Sequence, residues 1–139
     1  MKRVLFDTNI VLDVLLAREP HVSASAVAWT IVENRRAQGV LAGHAVTTIY
    51  YILRKQLGDP RTRQILTALL GVFEVAAVNK EVIEKAFSLP GGDFEDAVVA
   101  IAAQASRCDF IVTRDPSGFR DSPVPTIRPE GFSALYELS

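Results

Sequence analysis

Five short apolar runs, each separated from the next by helical periodicity, narrow this chain to one class of fold. Val4-Leu5-Phe6, Val40-Leu41-Ala42, Val72-Phe73-Glu74-Val75 and Phe110-Ile111-Val112 read as buried strands, and a shorter run near Pro125-Thr126-Ile127 as a fifth. Between the first two, Ile10, Leu12, Val14 and Leu15 predict a helix running up to Pro20. Ala24, Val27, Ala28, Ile31 and Val32 predict a second that ends near Gly39. Further helices are expected over residues 45–57, stopped by Gly58-Asp59-Pro60, over 62–70, 80–87 and 94–106, with a last one from Pro129-Glu130. Strands that alternate with helices need crossover connections, which make the sheet parallel and cover both of its faces. The expectation is an α/β fold of Rossmann-like type. Its 139 residues are one domain's worth, so residues 1–139 are read as a single unit.

Ligands of such sheets bind beyond the carboxyl ends of the strands, and carboxylates stand there in this chain. Asp7 directly follows the first strand, and Asp115 lies three residues past the fourth. Asp96 falls in the first turn of the helix that leads into the fourth strand, after Asp93 and Glu95. Acids brought together repel one another and raise one another's pKa. A doubly charged cation removes that cost, and hard oxygen ligands select Mg²⁺ or Mn²⁺. Such a metal activates a bound water and steadies charge on a phosphate under attack, so the set fits metal-assisted hydrolysis of a phosphodiester. Each acid taken singly has a plainer reading. Asp7-Thr8-Asn9 makes a turn and helix cap, Asp93 caps the helix that holds Asp96, and Asp115 before Pro116 starts a loop. The functional reading rests on all three acids standing at matching positions.

Composition bounds the partners. The net charge of −1 marks no general nucleic-acid binder, and the basic clusters Arg35-Arg36, Arg54-Lys55 and Arg61 with Arg63 read as solvated helix faces or ends. This balance still admits an enzyme that meets RNA through a metal and a few arginines. No apolar run approaches the ~20 residues of a membrane span. The start reaches Asp7 too soon for a signal peptide, whose apolar core runs ~7–15 residues, so a soluble cytoplasmic protein without membrane contact is expected. Cys108 is the sole cysteine, which leaves no intrachain disulfide. His21 and His44 lack partners at metal-ligand spacing and read as non-catalytic. Ile49, Ile52 and Leu53 read as a core stripe, and Trp29 as packing or dimer surface. Val11, Leu15, Val22 and Trp29 are expected to leave apolar surface on the first helices, for a homodimer or a partner segment.

Three stretches resemble the motifs of PIN domains. Asp7-Thr8-Asn9-Ile10-Val11-Leu12-Asp13 is similar to their opening motif. Asp93-Phe94-Glu95-Asp96-Ala97, followed by the alanine-rich residues 100–105, resembles their third-acid helix. Phe110-Ile111-Val112-Thr113-Arg114-Asp115 with Phe119 resembles their fourth motif, and residues 123–132 their usual tail. The resemblance implies a five-stranded parallel sheet and a Mg²⁺- or Mn²⁺-dependent ribonuclease, the toxin of a bacterial toxin–antitoxin pair, with an antitoxin partner and a dimeric state. It implies that Asp7 and Asp96 bind metal and that Asp115 completes the site directly or through water. Thr113 would hold the neighbouring loop, with Asn9 and Asp93 beside the site. Thr48 departs from the pattern, standing where the family usually has a Glu, and Gly118 stands where an acid often precedes the phenylalanine. A hydroxyl is a weaker ligand and cannot serve as a general base, so a PIN fold that binds RNA or protein without cutting is the competing reading. Phosphoryl transfer through an aspartyl phosphate, as in haloacid-dehalogenase-like enzymes, would need a second Asp where Asn9 stands, and no convincing catalytic lysine motif accompanies it.

Overall fold

The computed structural model describes residues 1–137. Along the chain these form β1 (Arg3–Phe6), α1 (Thr8–Leu15), α2 (Val22–Glu33), β2 (Gln38–Ala42), α3 (Gly43–Leu57), α4 (Asp59–Leu70) and β3 (Phe73–Ala76). Then come α5 (Lys80–Ala86), α6 (Phe94–Ala105), β4 (Phe110–Val112), a 3₁₀ turn (Pro116–Phe119), β5 (Thr126–Ile127) and α7 (Pro129–Ala134). All five strands pair in parallel, in the order β3-β2-β1-β4-β5. This is the five-stranded, doubly covered α/β sheet the sequence predicts.

Successive side chains of the central strands enter opposite cores, as the two-residue period of a strand requires. Leu5, Val40 and Ile111 face the layer of α5 and α6. Val4, Phe6, Leu41 and Val112 face the layer of α1 to α4 and α7, where the Phe6 ring meets Phe73 edge-on at 5.2 Å. Burial on both faces explains why these strands read as unbroken apolar runs rather than alternating ones. Helix α6 buries every residue from Ala97 to Ala103, and its alanines let it lie close beneath the sheet.

Several expectations are corrected. Helix α2 ends at Glu33, with Arg35 in the left-handed region at φ 60°, so Gly39 does not stop it. Gly39 lies inside β2 because a Cβ there would come within 2.5 Å of Val32 and 2.6 Å of the Phe73 ring. Helix α1 stops at Leu15, short of Pro20, where the chain turns out through Ala17 at φ 51°. Helix α4 begins at Asp59 rather than residue 62, since Pro60 fits the first turn of a helix. The apolar patch expected on the first helices is mostly covered. Val11 is fully buried, and Trp29 packs edge-on against Phe73 at 5.4 Å. The most exposed of the large apolar side chains beyond Met1 is Phe87, at 72%, stacked on Phe94 at 4.6 Å. No helix among the described residues is long and apolar enough to cross a membrane.

Candidate active site

Strand β1 lies between β2 and β4, and the chain crosses from one side of it to the other after β3. That crossing is the topological switch point where open α/β sheets leave a crevice. Phe6 pairs with Val112, so the next residues, Asp7 and Thr113, emerge side by side from the sheet's carboxyl edge. The Asp7 amide donates to Val112 O at 3.0 Å, which continues the strand pairing up to the acid itself.

Asp7 is held from both sides. Its Oδ1 accepts from the Thr8 amide at 2.9 Å, and its Oδ2 from the Thr113 hydroxyl at 2.9 Å. The Thr113 oxygen accepts in turn from the Asp115 amide at 3.1 Å, so one fully buried hydroxyl fixes both the acid and the loop after β4. Asp7 is only 9% exposed, and burial raises its pKa despite the two hydrogen bonds and Arg114, which act to lower it.

Asp96 approaches from α6. Asp93 caps this helix by accepting from the Asp96 amide at 3.1 Å, so the structural reading of Asp93 holds in the geometry. Burial, followed by the charges of Asp7, Asp93, Glu95 and Asp115, pushes the Asp96 carboxyl up to about 7. Gly118 leaves the room it occupies, because a Cβ at that position would run into Asp96 Oδ2.

Asp7, Asp96 and Asp115 line one cleft of about 430 Å³, together with Asn9, Thr48 and Arg18. Asp93 and Glu95 complete its rim. Asp115 is exposed there, its Oδ1 accepting from Ser117 at 2.5 Å. Thr48 is exposed too, but its hydroxyl donates back to His44 O at 3.2 Å and so is turned to its own helix. His44 has its Nε2 3.8 Å from Glu95 Oε1, and neither ring nitrogen finds a hydrogen-bond partner among the described residues. Another hollow, of about 410 Å³, opens by the amino ends of β2 and β3, where Glu74 is already paired with Arg3 at 2.5 Å.

Three features escaped the sequence. Glu95 lies on the cleft rim beside the acid already singled out. Arg18 joins the cleft from the turn after α1, donating from Nη1 to Asn9 Oδ1 at 3.2 Å. Asp13, fully buried, is gripped by Arg114 and also accepts from Ser25 Oγ at 3.0 Å. Two of them carried a signal: Glu95 stands inside the acidic stretch around Asp96, and Asp13 is an acid on the apolar side of a helix otherwise made of Ile10, Val11, Val14 and Leu15.

The donor set suits a hard cation. Neither Asp7 nor Asp96 has an ion-pair partner among the described residues, and both carry raised pKa values that a cation would reverse. No three His, Cys, Asp or Glu side chains among the described residues stand close enough to cage a metal. Mg²⁺ does not need a cage, since it keeps several waters and takes one or two carboxylates plus substrate phosphate.

The PIN domain family model matches residues 3–117. The chain belongs to the PIN domain family. Beyond the matched residues, Val124 and Phe132 still pack into the two cores. Among curated proteins, Ribonuclease VapC1 of Aquifex aeolicus is 24% identical over 121 residues, covering 84% of this chain and 83% of that one. Among solved structures, a toxin–antitoxin complex from Klebsiella pneumoniae matches with a TM-score of 0.69 at 22% identity, over 91% of this chain and 97% of that one. VapC20 of Mycobacterium tuberculosis, described as a sarcin–ricin-loop-cleaving toxin, matches with a TM-score of 0.64 at 14% identity, over 96% of this chain and 95% of that one. At these identities the two structures speak for the fold alone.

Proposed function

We propose that this PIN domain is a divalent-metal-dependent ribonuclease, the toxin of a toxin–antitoxin pair, which hydrolyses RNA phosphodiester bonds at the carboxylate cleft. The observation that carries the reading is a pair of carboxylates, Asp7 and Asp96, that form no ion pair among the described residues and stand at the switch point of a PIN sheet. The name of the Aquifex relative, a ribonuclease, supports it.

When bound, Mg²⁺ or Mn²⁺ supplies an activated water and neutralises charge on the attacked phosphate. Asp7 and Asp96 would hold it, and Asp115 would complete its shell directly or through water. Thr113 keeps Asp7 aimed and the Asp115 loop in register. Exposed Val27, Phe87 and Phe94 offer apolar surface to a second copy or an antitoxin. The toxin–antitoxin complex from Klebsiella pneumoniae, which shares the fold, is in keeping with such a partner, and an RNA-cutting toxin would act in the cytoplasm.

Thr48 favours a second reading, a domain that holds RNA without cutting it, because its hydroxyl is turned back to His44 O. One experiment separates them: assorted RNAs are incubated with the protein plus Mn²⁺ or Mg²⁺, beside an EDTA control and an Asp7→Asn control. Metal-dependent cleavage lost in both controls is the expected result. RNA retained on the protein but left whole in every lane would establish the second reading instead.

A further inference from the structure

Five carboxylates line the cleft, and Arg18 is the one basic side chain among its lining residues. In such surroundings an arginine ordinarily closes onto an acid. Arg18 does not: it forms no ion pair within 4.0 Å among the described residues. Its guanidinium instead gives one N–H to a neutral oxygen, Asn9 Oδ1 at 3.2 Å, and Asn9 lines the same cleft. A guanidinium carries five N–H donors in a planar fork, so most of its donating capacity stays open.

The backbone that carries Arg18 is fixed. Its amide donates to Asp13 O at 3.0 Å, and its carbonyl accepts from the His21 amide at 3.0 Å and the Val22 amide at 2.8 Å. Asp13 is itself locked by Arg114, whose chain neighbour is Asp115. The base of the Arg18 side chain is therefore tied, through Asp13 and Arg114, to the loop that places one of the site's acids. The fixed backbone sets where the arm starts, and the bond to Asn9 holds its guanidinium in the cleft, which lowers the ordering cost when it takes hold of a ligand.

We propose that Arg18, steadied by Asn9, is the positioning arm that grips an RNA backbone phosphate next to the scissile one. The inference rests on the ribonuclease reading and deepens it. A cleft of five acids repels a polyanion, and a metal ion answers for the scissile phosphate only. A flanking phosphate needs a donor of its own, and a planar fork suits phosphate oxygens.

The test measures binding of a short fluorescein-labelled single-stranded RNA by anisotropy across a salt series in Mn²⁺. It uses an Asp7→Asn background so that the RNA stays whole. Arg18→Ala in that background should weaken binding roughly tenfold, the size of one charge-assisted hydrogen-bonded contact. It should also lower the slope of log affinity against log salt by about 0.7, one phosphate's worth on a single strand. Arg18→Lys should recover the salt slope but only part of the affinity, since it keeps the charge and loses the fork. Asn9→Ala should give a smaller loss with the slope intact. In the active protein, Arg18→Ala should raise KM with kcat nearly unchanged, while melting temperature and Mn²⁺ affinity stay at the parent values, which a merely structural residue would not do. RNA bound and cleaved equally well by Arg18→Ala would overturn the arm and leave the nuclease reading standing. An unaltered chain that neither binds nor cleaves any RNA would overturn both.

Discussion

Arg114 holds Asp13 through two nitrogens, Nε to Oδ2 at 2.7 Å and Nη2 to Oδ1 at 3.1 Å, across 101 residues of chain. Asp13 is fully buried while the Arg114 side chain is 26% exposed, so the acid depends on this partner and on Ser25 for its charge to be tolerated. The pair ties α1 to the loop after β4 and thereby joins the segments that begin with Asp7 and end with Asp115. Arg114→Met should leave a buried carboxylate uncompensated and cost about 3 kcal/mol, roughly a 10 °C fall in Tm. Asp13→Asn combined with Arg114→Met should recover much of that loss. Thermal melts of the two variants check this, and a double variant no more stable than Arg114→Met would show that the charge is not what the arginine compensates.

Asp7→Asn should abolish cleavage and leave the fold intact. Two effects oppose each other in the metal-free protein. Removing the charge relieves the burial that raises the Asp7 pKa. Against this, an amide offers one oxygen where both Thr8 N and Thr113 Oγ1 now donate to a carboxylate. The net change in Tm should stay within about 3 °C of the parent, near 1 kcal/mol for a chain of this size. Circular dichroism melts alongside an RNA cleavage assay supply both readouts. Undiminished cleavage would make Asp7 a turn residue and nothing more.

Metal-free stability should fall as pH rises. The Asp96 carboxyl sits at about 7 in the folded chain against an ordinary 3.8, so between those values the folded state keeps a proton that the unfolded state has lost. Stability is then greatest below the unfolded pKa and declines as pH climbs through the folded one. The raised Asp7 carboxyl adds to the same trend. In EDTA the protein should melt roughly 3 °C higher near pH 5 than near pH 8, a modest figure because Asp96 is partly open to solvent. Asp96→Asn should flatten the profile, and saturating Mn²⁺ should raise the high-pH Tm. A melt that rises with pH in EDTA would mean that the clustered acids do not repel in the folded state.

What the sequence disclosed follows from the kind of physics each feature uses. Phe110–Val112 was readable because a parallel strand buried on both faces is an apolar run, and Asp7 and Asp115 were readable because they sit where such runs end. Gly39 misled because a glycine required by close packing against Val32 and Phe73 looks, in one dimension, like a helix stop. Val11 misled because α1 is covered by α2 and α3 as well as the sheet, so its second apolar face is core. The Arg114–Asp13 and Arg18–Asn9 contacts had no periodic signal at all, since they depend on where two side chains meet after the backbone has folded.

Thr48 stands where the resemblance to PIN domains leads one to expect a Glu, and the structure bears on which nearby acid would answer for it. Asp93 is occupied as the N-cap of α6, accepting from the Asp96 amide, so Asp93→Ala should cost about 1 kcal/mol of stability as a lost cap. Its effect on Mn²⁺ affinity should be small. Glu95 is placed otherwise. Its carboxylate reaches within 3.8 Å of His44, one helical turn before Thr48 on α3, and its charge raises the pKa of both Asp7 and Asp96. Glu95→Gln should therefore weaken Mn²⁺ binding several-fold while leaving Tm in EDTA unchanged or higher. Thr48→Glu should tighten Mn²⁺ binding by roughly tenfold, because ligand charge largely sets the affinity of a hard-cation site. It should also make the Glu95→Gln change harmless when the two are combined. Calorimetric titration of Mn²⁺ into the parent and the four variants decides between the acids. A loss confined to Asp93→Ala would assign the missing charge to the cap residue, and no change in any of them would place the metal outside this cleft.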